Sequence, residues 1–152
     1  MRMPGSKIFC LIFLMGVSAA IAGSTFQQDK KYRVIVDLTD IRSKDGNIMI
    51  SIYNKPETFP GADNMLEQKI ISHIPGKSMK IRFEDLSAGS YAIAVLHDEN
   101  GDREMDFNLI GMPSEGYCFS NNVRPKFRKP RWEEAKFEVK NHNTRIQIAM
   151  KY

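Results

Sequence analysis

Residues 91–122, YAIAVLHDENGDREMDFNLIGMPSEGYCFSNN, join an almost wholly apolar segment to a long polar one. The apolar segment, residues 91–96, has the length of a strand and no polar alternation, which predicts a central strand covered on both faces. A dense polar loop follows directly, and most residues around Gly101 carry a side-chain oxygen. Such a loop is typical either of a site for a hard cation or of a heavily hydrogen-bonded turn.

The sequence on either side of this stretch alternates apolar and polar residues with a period of two. The alternating segments and one further apolar patch lie at residues 32–38, 48–52, 70–74, 79–83, 137–139 and 146–150. A period of two is typical of half-buried strands. Because no long helical pattern separates them, we expect an all-β protein, a single antiparallel Greek-key β-sandwich of about seven strands.

Turn signals separate these segments. Residues 44–47, KDGN, predict a hairpin between the first two strands, and residues 141–143, NHN, predict a last hairpin. Residues 56–68 predict a loop with a short helical turn, and residues 131–135 predict another such turn. The pattern contains no internal repeat and no linker, so we expect one domain.

The N-terminus predicts a cleaved export signal. Two basic residues precede an apolar run at residues 8–17, and residues 20–22, AIA, match a small-x-small cleavage site. The run is too short to span a bilayer as a helix, which needs about 20 residues. A buried N-terminal helix is the alternative, but nothing amphipathic accompanies the run. We therefore expect a signal peptide at residues 1–22, the single β-sandwich domain at residues 23–152, and a periplasmic or extracellular location.

The charge balance argues against polyanionic partners. The net charge of +4 falls to +2 once Arg2 and Lys7 leave with the signal peptide, which is too even to indicate nucleic acid or an anionic membrane as partner. One basic segment, residues 124–131, has Pro and Phe interleaved with Arg and Lys. Such a segment is either an anion or nucleic-acid site or a solvated crossover. Export favours the crossover, so we expect no nucleic acid, no membrane span and a monomer.

Cys118 is the only cysteine after the predicted cleavage site. An intramolecular disulfide is therefore impossible in the mature chain. A free cysteine in a strand pattern behaves as a small hydrophobe, so we expect Cys118 to be a buried strand residue and not a reactive thiol.

The polar loop has the ligand spacing of a calcium site. Counted from the first aspartate, oxygen-bearing side chains occupy positions one, three, five, seven and nine: Asp98, Asn100, Asp102, Glu104 and Asp106. Calcium loops place ligands at these positions. Here, however, Arg103 stands where such loops have an invariant glycine, and Leu109 stands where they have a bidentate glutamate. A set of side chains that hydrogen-bond to backbone amides and close turns without metal is the competing interpretation.

An enzyme is the rival class of function. His97 beside Asp98 and the later loop carboxylates, Asp102 and Asp106, suggests acid–base work by a small hydrolase or a carbohydrate-active enzyme. The sequence contains no nucleophile elbow, zinc-binding HExxH or phosphate-binding glycine motif, and we assign no catalytic residue. A histidine at a strand end is more often a hydrogen-bonding orienter than a base. Asn121 and Asn122 are expected to cap a strand end and to satisfy buried backbone groups.

The runs HDENGDREMD, LIGMPSEGY and FSNN are similar to those of a bacterial family, domain of unknown function 2141. The resemblance extends from about Tyr32 to the C-terminus. It implies a transthyretin-like (prealbumin-like) β-sandwich and an exported protein, in a family without an established activity. The function expected is a non-catalytic binding or accessory module of the cell envelope, with an unidentified envelope or extracellular partner. A weak calcium site in the polar loop is the sharper hypothesis, and calcium is the one cofactor considered.

Overall fold

The structure is a computed structural model that describes residues 30–125 and 128–152. The predicted signal peptide, residues 1–22, lies outside the described residues, as do two residues of the basic segment, Lys126 and Phe127. No helix in the described part of the chain is both long and apolar enough to cross a membrane.

The described residues form strands joined by loops and by three single-turn helical segments. The strands are β1 (Tyr32–Thr39), β2 (Asn47–Tyr53), β3 (Glu67–Ile71), β4 (Met79–Leu86), β5 (Gly89–Asp98), β6 (Gly116–Phe119), β7 (Phe137–Val139) and β8 (Thr144–Ala149). The helical segments are 3₁₀ turns at Pro56–Thr58 and Ser120–Asn122 and the helix α1 (Trp132–Ala135). The two helical turns predicted for residues 56–68 and 131–135 are therefore present.

The strands form two sheets, as expected for a sandwich. One sheet has the order β4-β1-β8, and the other has the order β3-β2-β5-β6, with β7 also paired to β5. The prediction of an all-β sandwich is confirmed. The pairing is antiparallel except between β1 and β8, which run parallel, so the expectation of a wholly antiparallel fold was wrong at this pair.

Both predicted hairpins are wrong for the same reason. The turn at residues 44–47 joins β1 of one sheet to β2 of the other, and residues 141–143 join β7 to β8, again across the sandwich. Glycine and asparagine indicate where the chain bends. They do not indicate which strand the next strand pairs with, because the pairing depends on which apolar faces are buried against each other.

The main core lies between the two sheets. Alternate residues of β1, Val34, Val36 and Leu38, are completely buried there, and they pack in one core with Ile93 and Val95 of β5. This alternation gives β1 its period of two, since the intervening residues Ile35 and Asp37 are only partly buried. Burial of side chains of this size contributes about 1.5–3 kcal/mol each.

A second, smaller core covers the outer face of β5. It contains Tyr53, Phe59, Ala92, Trp132 and Ala135. Ala92 of β5 leaves room for the rings of Phe59 and Trp132, whose centroids lie 6.0 Å apart in an edge-to-face arrangement. β5 is thus apolar on both faces, and the prediction of a central, doubly covered strand at residues 91–96 is confirmed.

Candidate binding loop

The segment between β5 and β6, residues 99–115, is the polar loop identified in the sequence. β5 and β6 pair up to His97 and Gly116, so the two ends of the polar loop start from neighbouring strands. Asp98 and Glu115, which flank these ends, are buried although both are acidic. Buried carboxylates require partners, and here the partners are backbone amides of the loop.

Asp98 folds the first turn of the polar loop. Its side chain is completely buried, and its two oxygens accept hydrogen bonds from the backbone N–H of Gly101 at 2.8 Å and of Arg103 at 3.2 Å. Both of these residues have left-handed backbone angles, with φ of 83° and 69°. The carboxylate compensates for that conformation, which costs a non-glycine residue such as Arg103 free energy.

Glu115 ties the beginning of the polar loop to its end. Its carboxylate accepts from the backbone N–H of Glu99 at 2.8 Å and of Asp106 at 3.3 Å, and the residue is 4% exposed. Sequence reasoning missed this residue because its partners are backbone groups up to sixteen residues away.

Asn100 organises the exposed middle of the polar loop. Its Oδ1 accepts from the N–H of Asp102 at 2.9 Å, and its Nδ2 donates to one carboxylate oxygen each of Asp102 and Asp106, at 2.9 and 3.0 Å. Asp102 in turn accepts from the N–H of Glu104 at 2.8 Å. The hydrogen-bonded turn considered in the sequence is therefore present, and it uses four of the five predicted ligand side chains.

No group of three or more histidine, cysteine or acidic side chains is arranged to hold a metal ion in the described residues. The amide nitrogen of Asn100 lies between the carboxylates of Asp102 and Asp106, where a cation would have to lie to bridge them. A calcium site at Asp98, Asn100, Asp102, Glu104 and Asp106 stays a prediction.

His97 is a structural residue at the base of the polar loop. It is completely buried, and its Nε2 lies 3.0 Å from the Asp45 carbonyl oxygen while its Nδ1 lies 2.7 Å from the Tyr152 hydroxyl. A carbonyl can only accept, so Nε2 carries the proton and Nδ1 accepts from the hydroxyl. The hydroxyl oxygen also accepts from the N–H of Arg42 at 3.1 Å. Both ring nitrogens of His97 are thus hydrogen-bonded within the protein, which is the arrangement expected of a hydrogen-bonding orienter.

Arg42 lies in the segment between β1 and β2 and binds the polar loop. Its guanidinium pairs with the Glu99 carboxylate, donates to the Ser114 carbonyl at 3.2 Å and lies 4.3 Å from the centre of the Tyr152 ring. The Arg42 hydrogen bond is the largest cause of a lowered pKa for the Glu99 carboxyl, and the Ser43 hydroxyl, 2.9 Å away, adds to it. No local pattern in the sequence predicts this cluster, because Arg42 and Tyr152 are 110 residues apart.

The far end of the polar loop is a narrow ribbon closed by Asn108. Phe107 and Pro113 form a β-bridge, and the N–H of Asn108 donates to the Met112 carbonyl at 2.8 Å. The side-chain oxygen of Asn108 accepts from the N–H groups of Ile110 and Met112 at 3.1 and 3.0 Å. The backbone at this end is therefore held by hydrogen bonds among its own polar groups.

Large apolar side chains project from this ribbon into solvent. We call residues 107–112 the apolar tip. Leu109 is fully exposed, and Phe107, Ile110 and Met112 are 61%, 83% and 42% exposed. The sequence signal is the run LIGMP, residues 109–113, but an apolar run alone does not show whether the fold covers it. Exposed apolar residues that are adjacent, and not scattered singly, mark interaction sites.

The Ser120–Asn122 turn lies at the other end of β6. Unlike the apolar tip, it directs its side chains towards the sandwich. Ser120 is completely buried, and its hydroxyl accepts from the N–H of Ile93 at 2.9 Å and donates to the Ala135 carbonyl at 2.6 Å. Asn121 donates to two carbonyls around α1, and Asn122 both donates to and accepts from the backbone of β8. The prediction that the two asparagines satisfy backbone groups is confirmed.

Two further predictions concern this end of the molecule. Cys118 is buried with its sulfur 3.3 Å from that of Met150, and burial raises the pKa of its thiol; the expectation of a buried strand residue is confirmed. The solvated crossover expected for the basic segment stays a prediction; within this segment Arg128 and Arg131 pair with Glu134. Their two guanidiniums, together with the N–H of Arg131, lower the pKa of that carboxyl.

The fold and the loop define a small all-β sandwich protein with one elaborated strand connection. The sequence model of a family described as "Uncharacterized protein conserved in bacteria (DUF2141)" matches residues 36–147. The chain therefore belongs to this family, and the resemblance carried by residues 91–122 is confirmed. No curated protein and no solved structure matches the chain.

Proposed function

We propose that this protein is a non-catalytic binding or accessory module of the bacterial cell envelope, and that the polar loop carrying the apolar tip is its binding element. The observation behind this proposal is the contrast within the loop. Its base is fixed by buried Asp98 and Glu115, while Leu109 and Ile110 at its end are exposed. A folded chain gains nothing from apolar groups left in water, whereas a binding element gains when they are buried against a partner.

The hydrogen bonds of the polar loop favour binding because they lower its entropic cost. Ordering a loop on binding costs free energy that is subtracted from the affinity. Here the side chains of Asp98, Asn108 and Glu115 already hold the backbone in one conformation before a partner arrives. Burial of Leu109 and Ile110 would then contribute about 1.5–3 kcal/mol each.

The envelope location rests on the sequence of residues 1–22, which have the features of a signal peptide. The mass of the protein recovered from a periplasmic or extracellular fraction tests this part directly. We expect the mass of residues 23–152. A chain that keeps its N-terminal residues in that fraction would contradict the assignment.

The enzyme alternative requires an accessible acid or base near the loop carboxylates. His97 and Asp98 are both completely buried, and all four of their polar side-chain atoms are hydrogen-bonded within the protein. A substrate could reach neither residue without opening the base of the polar loop. The arrangement therefore favours a binding role over acid–base chemistry at these residues.

Weak calcium binding is a second candidate, and one contact favours it. The carboxylates of Asp102 and Asp106 converge within 3.0 Å of one nitrogen, that of Asn100. Rotation of this amide would present its oxygen in place of the nitrogen, which completes three oxygen ligands for a hard cation. Exported modules bind calcium with dissociation constants of about 10⁻⁴ to 10⁻³ M.

Thermal unfolding tests the calcium proposal. A ligand present at 100 times its dissociation constant raises the free energy of unfolding by about 2.7 kcal/mol. We expect 10 mM calcium to raise the melting temperature relative to a chelator, and expect Asp102→Asn with Asp106→Asn to lose that rise while keeping the fold. Equal melting of the natural protein in calcium and in chelator would contradict the site.

Photo-crosslinking in living bacteria tests the binding element itself. A photoreactive amino acid replaces Leu109 in one variant and Ile70 in a matched control. Ile70 is an exposed apolar residue of β3, the edge strand on the opposite side of the sheet from β6. We expect a covalent adduct from position 109 and little from position 70. No adduct at position 109, or equal adducts at both positions, would contradict the proposed function.

A further inference from the structure

The apolar tip has the shape of an inserting element. The β-bridge between Phe107 and Pro113 makes its stem only two chains wide, and the fully exposed Leu109 stands at the turn. Leu109 and Ile110 follow the Asn108 cap, so the most exposed side chains are those furthest along the chain from the stem. The surface is convex, and a convex apolar surface needs a partner that can surround it.

The apolar tip by itself presents less area than a stable protein interface occupies. Large side chains bury roughly 150–250 Å² each, so Phe107, Leu109, Ile110 and Met112 at their observed exposures present on the order of 500 Å². A specific protein interface takes about 800 Å² of apolar and polar surface together from each partner, so a protein partner would also have to contact polar surface beside the tip. A lipid bilayer surrounds a convex tip without any complementary surface, so this area is sufficient for it.

The charges at the base of the apolar tip select the type of lipid. Asp102, Glu104 and Asp106 lie on the stem side of the tip with one basic residue, Arg103, so the exposed base carries more negative than positive charge. A uniformly anionic surface would repel it. Zwitterionic phospholipids present an ammonium group outermost and a phosphate beneath it, which complements carboxylates surrounding an apolar insertion. Phe107, at the junction of stem and tip, adds an apolar ring of the kind that interfacial elements bury at the boundary of headgroups and acyl chains.

From these features the geometry points to a zwitterionic phospholipid surface as the partner, into which the apolar tip inserts to the depth of Leu109 and Ile110. This inference rests on the proposed function, because it names the partner of the same loop. The polar loop is then a peripheral anchor: the sandwich stays in water, the carboxylates lie among headgroup ammonium groups, and the tip lies below them.

Vesicle binding tests the inference. The full chain is mixed with phosphatidylcholine vesicles in a chelator, as the natural sequence, as Leu109→Asp with Ile110→Asp, and as a control with Leu66→Asp and Ile70→Asp, two apolar residues of similar type exposed near and on β3. Residues 1–22 are common to all three chains. We expect the tip variant to bind at least about 10-fold more weakly, as the loss of two buried apolar side chains predicts. The control should stay within about twofold of the natural sequence.

Two outcomes would overturn the membrane partner. One is binding of the natural chain and the tip variant within twofold of each other. The other is tighter binding to vesicles that contain phosphatidylglycerol than to phosphatidylcholine alone, because that order reverses the charge argument. A second measurement uses the photoreactive residue at position 109 on the same vesicles, where a lipid adduct identified by mass supports insertion and its absence contradicts it.

The two proposals fail in distinguishable ways. A protein adduct from position 109 in cells, together with no lipid adduct, keeps the polar loop as a binding element and removes the membrane as its partner. No adduct of either kind in cells removes the binding element, and the membrane inference falls with it.

Discussion

The polar loop and the Ser120–Asn122 turn start from opposite ends of the same four-residue strand, β6, and use the same kinds of side chain. At both places, short polar side chains bond to backbone groups. The side chains of the Ser120–Asn122 turn bond to other elements and join β5, α1 and β8. Those of the polar loop bond to the backbone of the loop and of its ends, and the loop also carries exposed apolar side chains. The Ser120–Asn122 turn therefore stabilises the sandwich, whereas the hydrogen bonds of the polar loop hold exposed apolar side chains in a fixed position.

A glycine beneath the polar loop gives the largest expected effect. Gly46 has φ of 64°, and a β-carbon at this position would overlap the carbonyl oxygen of Asp98 and crowd Glu99. Gly46→Ala must therefore move the base of the polar loop and also strain the backbone. We expect a loss of about 3 kcal/mol in the free energy of unfolding. Chemical denaturation measures it, and Gly76→Ala, where a β-carbon meets nothing, is the control.

The comparison between the two regions predicts unequal costs for removing one polar side chain. Ser120→Ala leaves the buried N–H of Ile93 without its partner, which costs about 2 kcal/mol. Asp98→Ala removes two bonds, but the amides of Gly101 and Arg103 belong to exposed residues that water can reach, so about 1 kcal/mol is expected. Denaturation of both variants gives the order, and a larger loss for Asp98→Ala would reverse the division of roles.

The ion pair at the base of the polar loop predicts a pH dependence. The pKa of Glu99 is lowered, first by its hydrogen bond to Arg42. A carboxyl with a lowered folded-state pKa stabilises the protein above its unfolded pKa of about 4.3, and this stabilisation is lost as the pH falls through the lower folded value. Between pH 6 and pH 3 we expect Glu99→Gln to lose less stability than the natural protein. A loss equal to that of the natural protein would mean that the pair is not formed in solution.

The smallest effect on stability is expected where the proposed function is concentrated. Leu109→Ser with Ile110→Ser removes two large apolar side chains that bury almost nothing in the free protein. The free energy of unfolding should change by no more than about 0.5 kcal/mol. The matched core variant Ile93→Ser should cost several kcal/mol. A marked destabilisation by the tip variant would show that the tip packs against the protein in solution.

The sequence predicts local features of this fold well because they depend on neighbouring residues. The period of two located β1 and β4, the uniform apolar run located β5, and the polar loop was recognised with its turn-forming side chains. The strand partners predicted by the two hairpins are wrong, and the parallel pairing of β1 with β8 was not predicted, since it joins residues about 110 positions apart. The cluster of Arg42, His97 and Tyr152 has the same long-range origin.

The apolar tip was missed for a different reason, since its residues are consecutive. A run such as LIGMP is compatible with a strand, a buried loop or an exposed tip, and its burial depends on whether the rest of the fold covers it. The structure shows that Leu109 and Ile110 are left uncovered by the rest of the described chain. The carboxylates around it drew a metal interpretation, although their spacing suits backbone hydrogen bonds equally well.

The central claim is that the polar loop is ordered before it meets a partner, and backbone ¹⁵N relaxation of the free protein tests it most directly. The amides of Gly101, Arg103 and Asp106 donate to buried carboxylates. We expect their order parameters to be close to about 0.85, as for the residues of β5, in a chelator and without a partner. Order parameters below about 0.6 at these three amides would show a flexible loop and would contradict the account.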